Sequence, residues 1–283
     1  MQEDVDKLLR YLEVKQLSEF EFEGESPSFP ERIFGGQVLA QSLNAATRCV
    51  DPKYFVHSMH AYFLRPGDPK NVITFEVDPI RNGRSFATRR VVAKQNNRPI
   101  FNTSISFHKE EFGLEHQMDI KINSTPEELE TDLNFWKKFS KANPDKPAPP
   151  QAHAIERRVV NRRNYLDPQP TAPNQQMWFR VLGDLGDDER RHAILLAYIS
   201  DYSLLGTALL PHPYNSFSSD LQLASLDHSI WFHRRFRFED YLLYSTDSPN
   251  SGGSRGLSRG AFYTKEGVLV ASTAQESLMR TKD

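Results

Sequence analysis

The sequence predicts an α+β protein built from two similar units in tandem, each with a central helix wrapped by a curved antiparallel sheet. Three features of its 283 residues support this prediction. An ordered set of short motifs occurs twice, strand-like segments follow one another across tight turns, and each half has one apolar helical segment ahead of its strands. Strands that follow one another without intervening helices indicate a meander, because parallel strands need a crossover connection between them.

The repeat divides the chain into a first unit at residues 1–112, a connector at residues 113–174 and a second unit at residues 175–283. His57-Ser58-Met59 is followed by aromatic residues and an arginine, and His228-Ser229-Ile230 is followed by the same kinds of residue. Glycine-containing turns come after each motif in the same order. The individual letters match weakly, whereas the order and spacing of the features are kept, so we infer two copies of one supersecondary unit.

Three helices are predicted in the two units. A short amphipathic helix at the N-terminus is indicated by apolar residues at i, i+3, i+4 and i+7, namely Val5, Leu8, Leu9 and Leu12. The central helix of the first unit is predicted over residues 37–46, directly after two glycines. That of the second unit is predicted over residues 192–205, and because this segment is apolar on nearly every side we expect it to be buried.

The strands are predicted from alternation and from turn signals. Residues 72–77 alternate with period two, which is typical of a strand with one buried face. Asn82-Gly83 and Asn96-Asn97 are turn signals in the first unit, and Lys265-Glu266-Gly267 is one in the second. Hairpins are therefore predicted from residues 85–93 with 100–107 and from residues 256–264 with 268–278.

The connector differs from both units because it is rich in proline. Ser124-Thr125-Pro126-Glu127 is a helix-start signal, and we predict a helix over residues 127–139. Pro147, Pro149 and Pro150 follow. We interpret the whole segment as a linker that is long enough to cross one unit and deliver the chain to the second.

The composition argues against several classes of function. Lys and Arg total 35 against 37 acidic residues, so the net charge of −2 gives no general attraction to nucleic acid, and none is expected as a partner. The longest apolar run, residues 193–199, is far shorter than the roughly 20 residues that span a bilayer. The lone cysteine, Cys49, cannot form an internal disulfide, and the acidic N-terminus is unlike a secretory signal, so we expect a cytoplasmic location.

Five motifs in a fixed order carry a resemblance to a known family. They are residues 34–37 (FGGQ), 57–67 (HSMHAYFLRPG), 197–202 (AYISDY), 226–233 (LDHSIWFH) and 271–276 (ASTAQE). Together they resemble the acyl-CoA thioesterase II family, from about residue 20 to the C-terminus and weakly only in the connector. The resemblance implies the double hotdog fold, with two tandem hotdog units in one chain, an acyl-CoA substrate, and association into homo-oligomers.

The resemblance also implies a catalytic site. The family hydrolyses thioesters without a covalent intermediate, by means of a water that a carboxylate, an amide and a hydroxyl hold together. The carboxylate position matches Asp201, the amide position matches Gln275 and the hydroxyl position matches Ser225. Many members have threonine at the last position, so Ser225 keeps the hydroxyl and loses a methyl group. We expect backbone N–H groups near a helix start, such as that of Gly36, to stabilise the carbonyl oxygen.

Taken alone, the same three residues leave simpler interpretations open. Asp201 follows an apolar helical run and could merely end the helix, Gln275 could lie on an exposed strand face, and Ser225 could be structural. No Gly-x-Ser-x-Gly elbow surrounds Ser225, which argues against a serine acyl-enzyme. Two other functions stay open, a hotdog-type enoyl-CoA hydratase and a non-catalytic acyl-CoA-binding protein. The hydratase pattern has a histidine five residues after the aspartate, where this chain has Gly206.

No metal or cofactor is expected. His57 and His60 are three positions apart, and His228 and His233 are five apart, so the members of each pair fall on opposite faces of a strand. Neither pair can therefore bind one ion without a bulge, and a single cysteine cannot make a soft zinc site. Packed or hydrogen-bonded histidines are the better interpretation.

Overall fold

The two predicted units are present, and their strands join in one sheet. The structure, a computed structural model, describes residues 1–27, 32–146, 148 and 153–282. The prolines at 147, 149 and 150 that were used to define the connector lie outside the described residues, and the boundaries of the units at 112 and 174 stay a prediction. Within the described ranges, no helix has the length and apolar character that crossing a membrane requires.

In the described residues of the first unit there are two helices and six strands. They are α1 (Gln2–Leu12), β1 (Lys15–Ser18), β2 (Glu21–Gly24), α2 (Gly35–Arg48), β3 (Tyr54–Phe63), β4 (Ile73–Asn82), β5 (Phe86–Gln95) and β6 (Arg98–Lys109). The amphipathic N-terminal helix is confirmed, with Val5 and Leu12 buried. Asn96 and Asn97 both have positive φ, 50° and 59°, which is the backbone of a two-residue hairpin turn and confirms the turn predicted between β5 and β6.

The connector and the second unit supply the other elements. They are α3 (Asp132–Ala142), β7 (Ile155–Val159), β8 (Asn174–Val181), α4 (Glu189–Ser200), α5 (Leu204–Ala208), β9 (Leu221–Ser225), β10 (Asp227–Phe232), β11 (Leu242–Gly252), β12 (Arg255–Tyr263) and β13 (Leu269–Thr281). The hairpin of β12 and β13 is confirmed, and Gly267 has the positive φ, 83°, that the turn needs.

Two predicted helices differ from the observed ones. The helix predicted over residues 192–205 ends at Ser200, because Ser203 is left-handed, with φ 76°, and interrupts the apolar run before α5. The helix predicted over residues 127–139 is a short 3₁₀ turn at Pro126–Glu128, followed by α3 from Asp132. The capping box that Thr125 forms with Glu128 closes only that turn. The true start of α3 is capped by Thr131, whose hydroxyl accepts from Asn134 N at 3.2 Å.

Within the described parts of the chain, one antiparallel sheet of thirteen strands runs through both units, in the order β1-β2-β4-β5-β6-β3-β10-β13-β12-β11-β8-β7, with β9 paired to β13. The units meet where β3 pairs with β10, and there His228 lies opposite Ala61. Helices α2 and α4 pack against each other, and one hydrophobic core contains residues of both helices and of the sheet around them. Two neighbouring helices enclosed by a curved antiparallel sheet confirm the α+β double hotdog architecture.

Candidate active site

Asp201 lies where the two central helices meet. It directly follows α4, whose residues are almost all buried, and its carboxylate points to the first turn of α2. Gly36 N donates to Asp201 Oδ2 at 2.9 Å, and Ser225 Oγ donates to Asp201 Oδ1 over a longer 3.4 Å. The first N–H groups of a helix have no partner within the helix and attract negative charge. The start of α2 is therefore a favourable place for this carboxylate.

Two glycines allow α2 and α4 to approach this closely. A Cβ atom on Gly35 would lie 2.5 Å from Asp201 Oδ2 and would also contact the Phe63 ring. A Cβ atom on Gly36 would collide with the backbone carbonyl of Tyr198, which no side-chain rotation could relieve. The Gly35-Gly36 pair is thus required by the close contact between the helices rather than by a turn.

The expectation that Gly36 N–H stabilises the substrate carbonyl is wrong for this arrangement. That group has one hydrogen, and it is donated to Asp201 Oδ2. The helix start therefore binds the Asp201 carboxylate and leaves no hydrogen for a carbonyl oxygen. The sequence predicted that Gly36 lies near a helix start, but it did not predict that Asp201 of the other unit faces this position.

Gln275 and Ser225 come together because their strands are paired. Ser225 ends β9 and lies opposite Ser277 of β13, two residues from Gln275. Gln275 is buried, and its Nε2 donates to Ser225 Oγ at 3.0 Å and to Ser277 Oγ at 3.2 Å. The three residues implied by the resemblance, Asp201, Ser225 and Gln275, thus form one hydrogen-bonded group, and Gln275 does not lie on an exposed strand face.

His228 is a fourth member of this group that the sequence interpretation did not include. It is fully buried, with Nδ1 2.7 Å from Gln275 Oε1 and Nε2 2.9 Å from Ser200 Oγ. A signal for its position was available, because alternation along β10 places His228 on the same face as the buried Ile230 and Phe232. A histidine on an apolar face needs a polar partner, and here that partner is Gln275.

Burial shifts the pKa of both ionisable residues of the site. Burial raises the pKa of Asp201 from its usual 3.8 to about 7, against the opposing effect of hydrogen bonds from Gly36 and Ser225. One side of Asp201 faces a cavity, whereas protein surrounds the carboxylate on its other sides. Burial lowers the pKa of His228 to about 4, so His228 is neutral at pH 7.

A cavity of about 1500 Å³ opens beside Asp201 and Ser225. Its walls come from both units and from the connector, and many of them are aromatic or aliphatic: Phe34, Val38, Phe63, Trp136, Phe179, Tyr198, Tyr202 and Leu205. Phe34 of the first unit packs on Tyr198 and Tyr202 of the second, with ring centroids 5.2 and 5.0 Å apart. The site therefore lies in the wall of an apolar cavity that is large enough for a long, flexible molecule.

The remaining histidines and the cysteine have other partners. His57 contacts Ser106 Oγ at 2.8 Å, His60 contacts Ser229 Oγ at 3.1 Å and His233 contacts Ser272 Oγ at 2.8 Å, which confirms the interpretation as hydrogen-bonded histidines. In the part of the chain that the structure describes, no three His, Cys, Asp or Glu side chains form a metal-binding group. Burial raises the pKa of the Cys49 thiol, which makes it a poor nucleophile.

Comparison with known proteins gives a consistent result. The family profile described as "Acyl-CoA thioesterase" matches residues 148–278, and one described as "Acyl-CoA thioesterase N-terminal domain" matches residues 24–108. Acyl-coenzyme A thioesterase 8 of Mus musculus is 40% identical over 264 residues, which cover 89% of this chain and 81% of that protein. Acyl-CoA thioesterase 2 of Haemophilus influenzae is 34% identical over 99% of both chains.

Solved structures agree with the fold. The crystal structure of an acyl-CoA thioesterase II from Mycobacterium marinum has a TM-score of 0.80 and 38% identity, and covers 98% of each chain. A conserved protein with a hot dog fold from Alicyclobacillus acidocaldarius has a TM-score of 0.77 at 15% identity, over 97% of this chain and 98% of the other. The second match supports the fold alone, and the first also supports the family.

Proposed function

The chain belongs to the acyl-CoA thioesterase family, and we propose that it hydrolyses fatty acyl-CoA to a free fatty acid and coenzyme A by direct attack of a water held by Asp201, Ser225 and Gln275. The observation that carries this proposal is the convergence of hydrogen-bond donors on Asp201 in the wall of the large apolar cavity. The apolar wall fits an acyl chain, and a site at its edge fits the polar thioester group.

The reaction needs a base, and Asp201 supplies it. The Asp201 carboxylate removes a proton from the water as its oxygen bonds to the thioester carbon. The carbon–sulfur bond then breaks, and the proton passes from Asp201 to the departing sulfur of coenzyme A. A base whose pKa is about 7 is well matched to this task, because it is ionised near neutral pH and still binds a proton strongly. Ser225 keeps a lone pair with which it holds the water toward the carbonyl carbon, and Gln275 supports it through its hydrogen bond to Ser225.

The rate should depend on pH through Asp201. Because the base must be ionised, kcat/KM should fall about tenfold per pH unit below pH 7 and be constant above it, with a midpoint near the Asp201 pKa of about 7. Release of the coenzyme A thiol, followed from pH 5 to 9 with a disulfide reagent that reacts at acidic pH, measures this profile. A rate that stays level from pH 5 to 9 would show that Asp201 is not the titrating base.

The value of kcat should depend on the presence of a hydroxyl at position 225 and little on whether serine or threonine supplies it. Ser225→Thr should change kcat by less than about threefold, because it keeps the oxygen that bonds Asp201 and Gln275. Ser225→Ala leaves one N–H of the buried Gln275 amide without its acceptor and should lower kcat by roughly 10–100-fold, as expected for the loss of a positioning group. Steady-state kinetics of both variants measure the contrast. Equal rates for Ala and Thr would remove Ser225 from the site.

The substrate and the reaction can be tested together. Purified protein is incubated with saturated acyl-CoAs of short to long chain, and free thiol and free acid are measured in parallel. We expect one thiol per acid. Consumption of an enoyl-CoA double bond without thiol release would indicate a hydratase, whereas binding by calorimetry with no product from any substrate would indicate a binding protein. Asp201→Asn is the matched control, since it keeps the shape of the site.

Three finer points belong to the same proposal. We place the units at residues 1–112 and 175–283, with a connector between them, and we propose that the protein is a homo-oligomer in the cytoplasm. The lone Cys49 supports a reducing compartment. Sedimentation velocity tests the oligomeric state, and fractionation of cells that carry the tagged protein tests the location.

A further inference from the structure

His228 lies at the inner end of the hydrogen-bonded group, and the mechanism above gives it no role. It sits on β10 beside the strand of the other unit, fully buried and away from the cavity wall. Its two ring nitrogens contact Gln275 Oε1 at 2.7 Å and Ser200 Oγ at 2.9 Å. A neutral imidazole has one N–H and one acceptor nitrogen, so these two contacts must have opposite directions.

The Gln275 amide decides which nitrogen carries the hydrogen. Its two N–H bonds reach Ser225 Oγ and Ser277 Oγ on one side, and its oxygen reaches His228 on the other. If the amide were turned around, one N–H would face His228 Nδ1 and the second would lose its serine acceptor inside the protein. A buried N–H without an acceptor costs about 1–3 kcal/mol. Gln275 Oε1 therefore faces His228, and Nδ1 is the donor.

In this arrangement the hydrogen bonds of the group all run in one direction, from His228 toward Asp201. His228 Nδ1–H donates to Gln275 Oε1, and Gln275 Nε2 donates to Ser225 Oγ. The Ser200 hydroxyl has two acceptors within reach, Ala197 O at 2.8 Å and His228 Nε2 at 2.9 Å, and with Nδ1 as the donor its one hydrogen is directed to Nε2. Because Ser225 already accepts from Gln275, its own hydrogen is left for Asp201 Oδ1. With the other histidine tautomer and a turned amide, Ser225 would donate to Gln275 and present a lone pair to Asp201.

We propose that neutral His228, protonated on Nδ1, is a positioning residue that fixes the orientation of the Gln275 amide and so directs the Ser225 hydroxyl to Asp201. This inference rests on the proposed function, because it assigns a task within that site. His228 touches neither the cavity nor Asp201, and it acts only through Gln275. Ser200, which orients the ring, is itself held in place because its carbonyl accepts from the Tyr244 hydroxyl at 2.9 Å.

Asparagine and glutamine at position 228 test the two ring nitrogens of His228 one at a time. Asn at position 228 places an N–H where Nδ1 lies, whereas Gln extends its amide to the position of Nε2 and lacks the donor to Gln275. We expect His228→Asn to keep kcat within about fivefold of the wild type and His228→Gln to lower it by roughly 10–100-fold with KM little changed. The reverse order, or equal rates, would overturn the proposal. His233→Asn and His233→Gln are control variants at the exposed histidine that follows β10, and we expect no change from either.

A double-mutant cycle distinguishes positioning from a general structural effect. In a Gln275→Ala background the target of His228 is gone, so His228→Gln should cost less than about threefold. A cost of the same size in both backgrounds would show that His228 acts by another route. Thermal unfolding of each variant identifies any that fail to fold, and the Asn and Gln variants both keep a polar side chain for the buried site.

A spectroscopic measurement keeps this inference separate from the enzymatic one. Long-range ¹H–¹⁵N correlation on protein with labelled histidine reports which ring nitrogen of His228 is protonated at pH 7. We expect Nδ1–H in the wild type, and Nε2–H or a charged ring would overturn the proposal. This readout needs no turnover. If wild-type protein releases no thiol from any acyl-CoA, the proposed function fails while the orientation of the His228 ring is still decided.

Discussion

Replacing Asp201 with asparagine should lower kcat by about 10²–10⁴-fold and leave KM little changed, since a positioned general base contributes a factor of that order. Asparagine keeps the shape of the side chain, and its oxygen can still accept from Gly36 N–H. It cannot accept a proton from water. Steady-state kinetics on one long-chain acyl-CoA, with the thiol assay at pH 8, measure the loss. An Asp201→Asn variant with wild-type kcat would show that Asp201 is not the base.

A single turnover of the wild-type protein distinguishes direct water attack from a covalent route. In a single turnover in H₂¹⁸O, direct attack places ¹⁸O in the first fatty acid released. An anhydride formed on Asp201 and opened by water at the Asp201 carbon would leave that acid unlabelled. An acyl group found on Ser225 or Cys49 by mass spectrometry during turnover would also overturn direct attack, even with hydrolysis itself established.

Local signals in the sequence were enough to predict α1, α2 and the two hairpins β5-β6 and β12-β13, but they were less reliable for the ends of other elements. Asn96-Asn97 and Gly267 predict the positions of their turns, because few other residue types adopt positive φ so readily. The end of α4 could not be predicted in this way. Apolar residues continue across it, and the left-handed backbone falls on Ser203, a residue type that gives no warning of that conformation. Asp201 thus lies at a helix end that the hydrophobic pattern does not reveal.

The candidate site depends on contacts between distant parts of the chain. Gly36 and Asp201 belong to different units, and Ser225 and Gln275 meet only because β9 pairs with β13. No periodicity in the sequence encodes these pairings, so the three residues could be selected only through the resemblance of their motifs. His228 shows the limit of that route. Its burial was readable from alternation along β10, but its bond to Gln275 follows from the register of β10 on β13.

The Asp201→Asn variant should also be more stable than the wild type above pH 7. The unfolded chain releases the Asp201 proton near pH 3.8, whereas the folded protein keeps it until about pH 7. Between these values the folded state binds more protons than the unfolded state, so wild-type stability falls as the pH rises. A shift of about three pKa units corresponds to a difference of at most about 4 kcal/mol in the free energy of unfolding. Because one side of Asp201 faces the cavity, solvent screening lowers this difference to about 2–3 kcal/mol.

Thermal unfolding of both proteins from pH 4 to pH 8.5 measures this effect. Asparagine does not titrate, so the two curves of melting temperature against pH should coincide near pH 4, separate up to pH 7 and stay parallel above it. Above pH 7 the variant should melt several degrees higher, since 1 kcal/mol corresponds to about 2–4 °C for a chain near this size. His233→Asn, which leaves Asp201 in place, should show no gap that opens as the pH rises, because the lowered pKa of His233 affects stability only below its usual 6.5. A gap that does not change with pH would mean that the carboxylate is as well solvated in the folded protein as in the unfolded chain. The hydrogen bonds from Gly36 and Ser225 would then have offset its burial entirely.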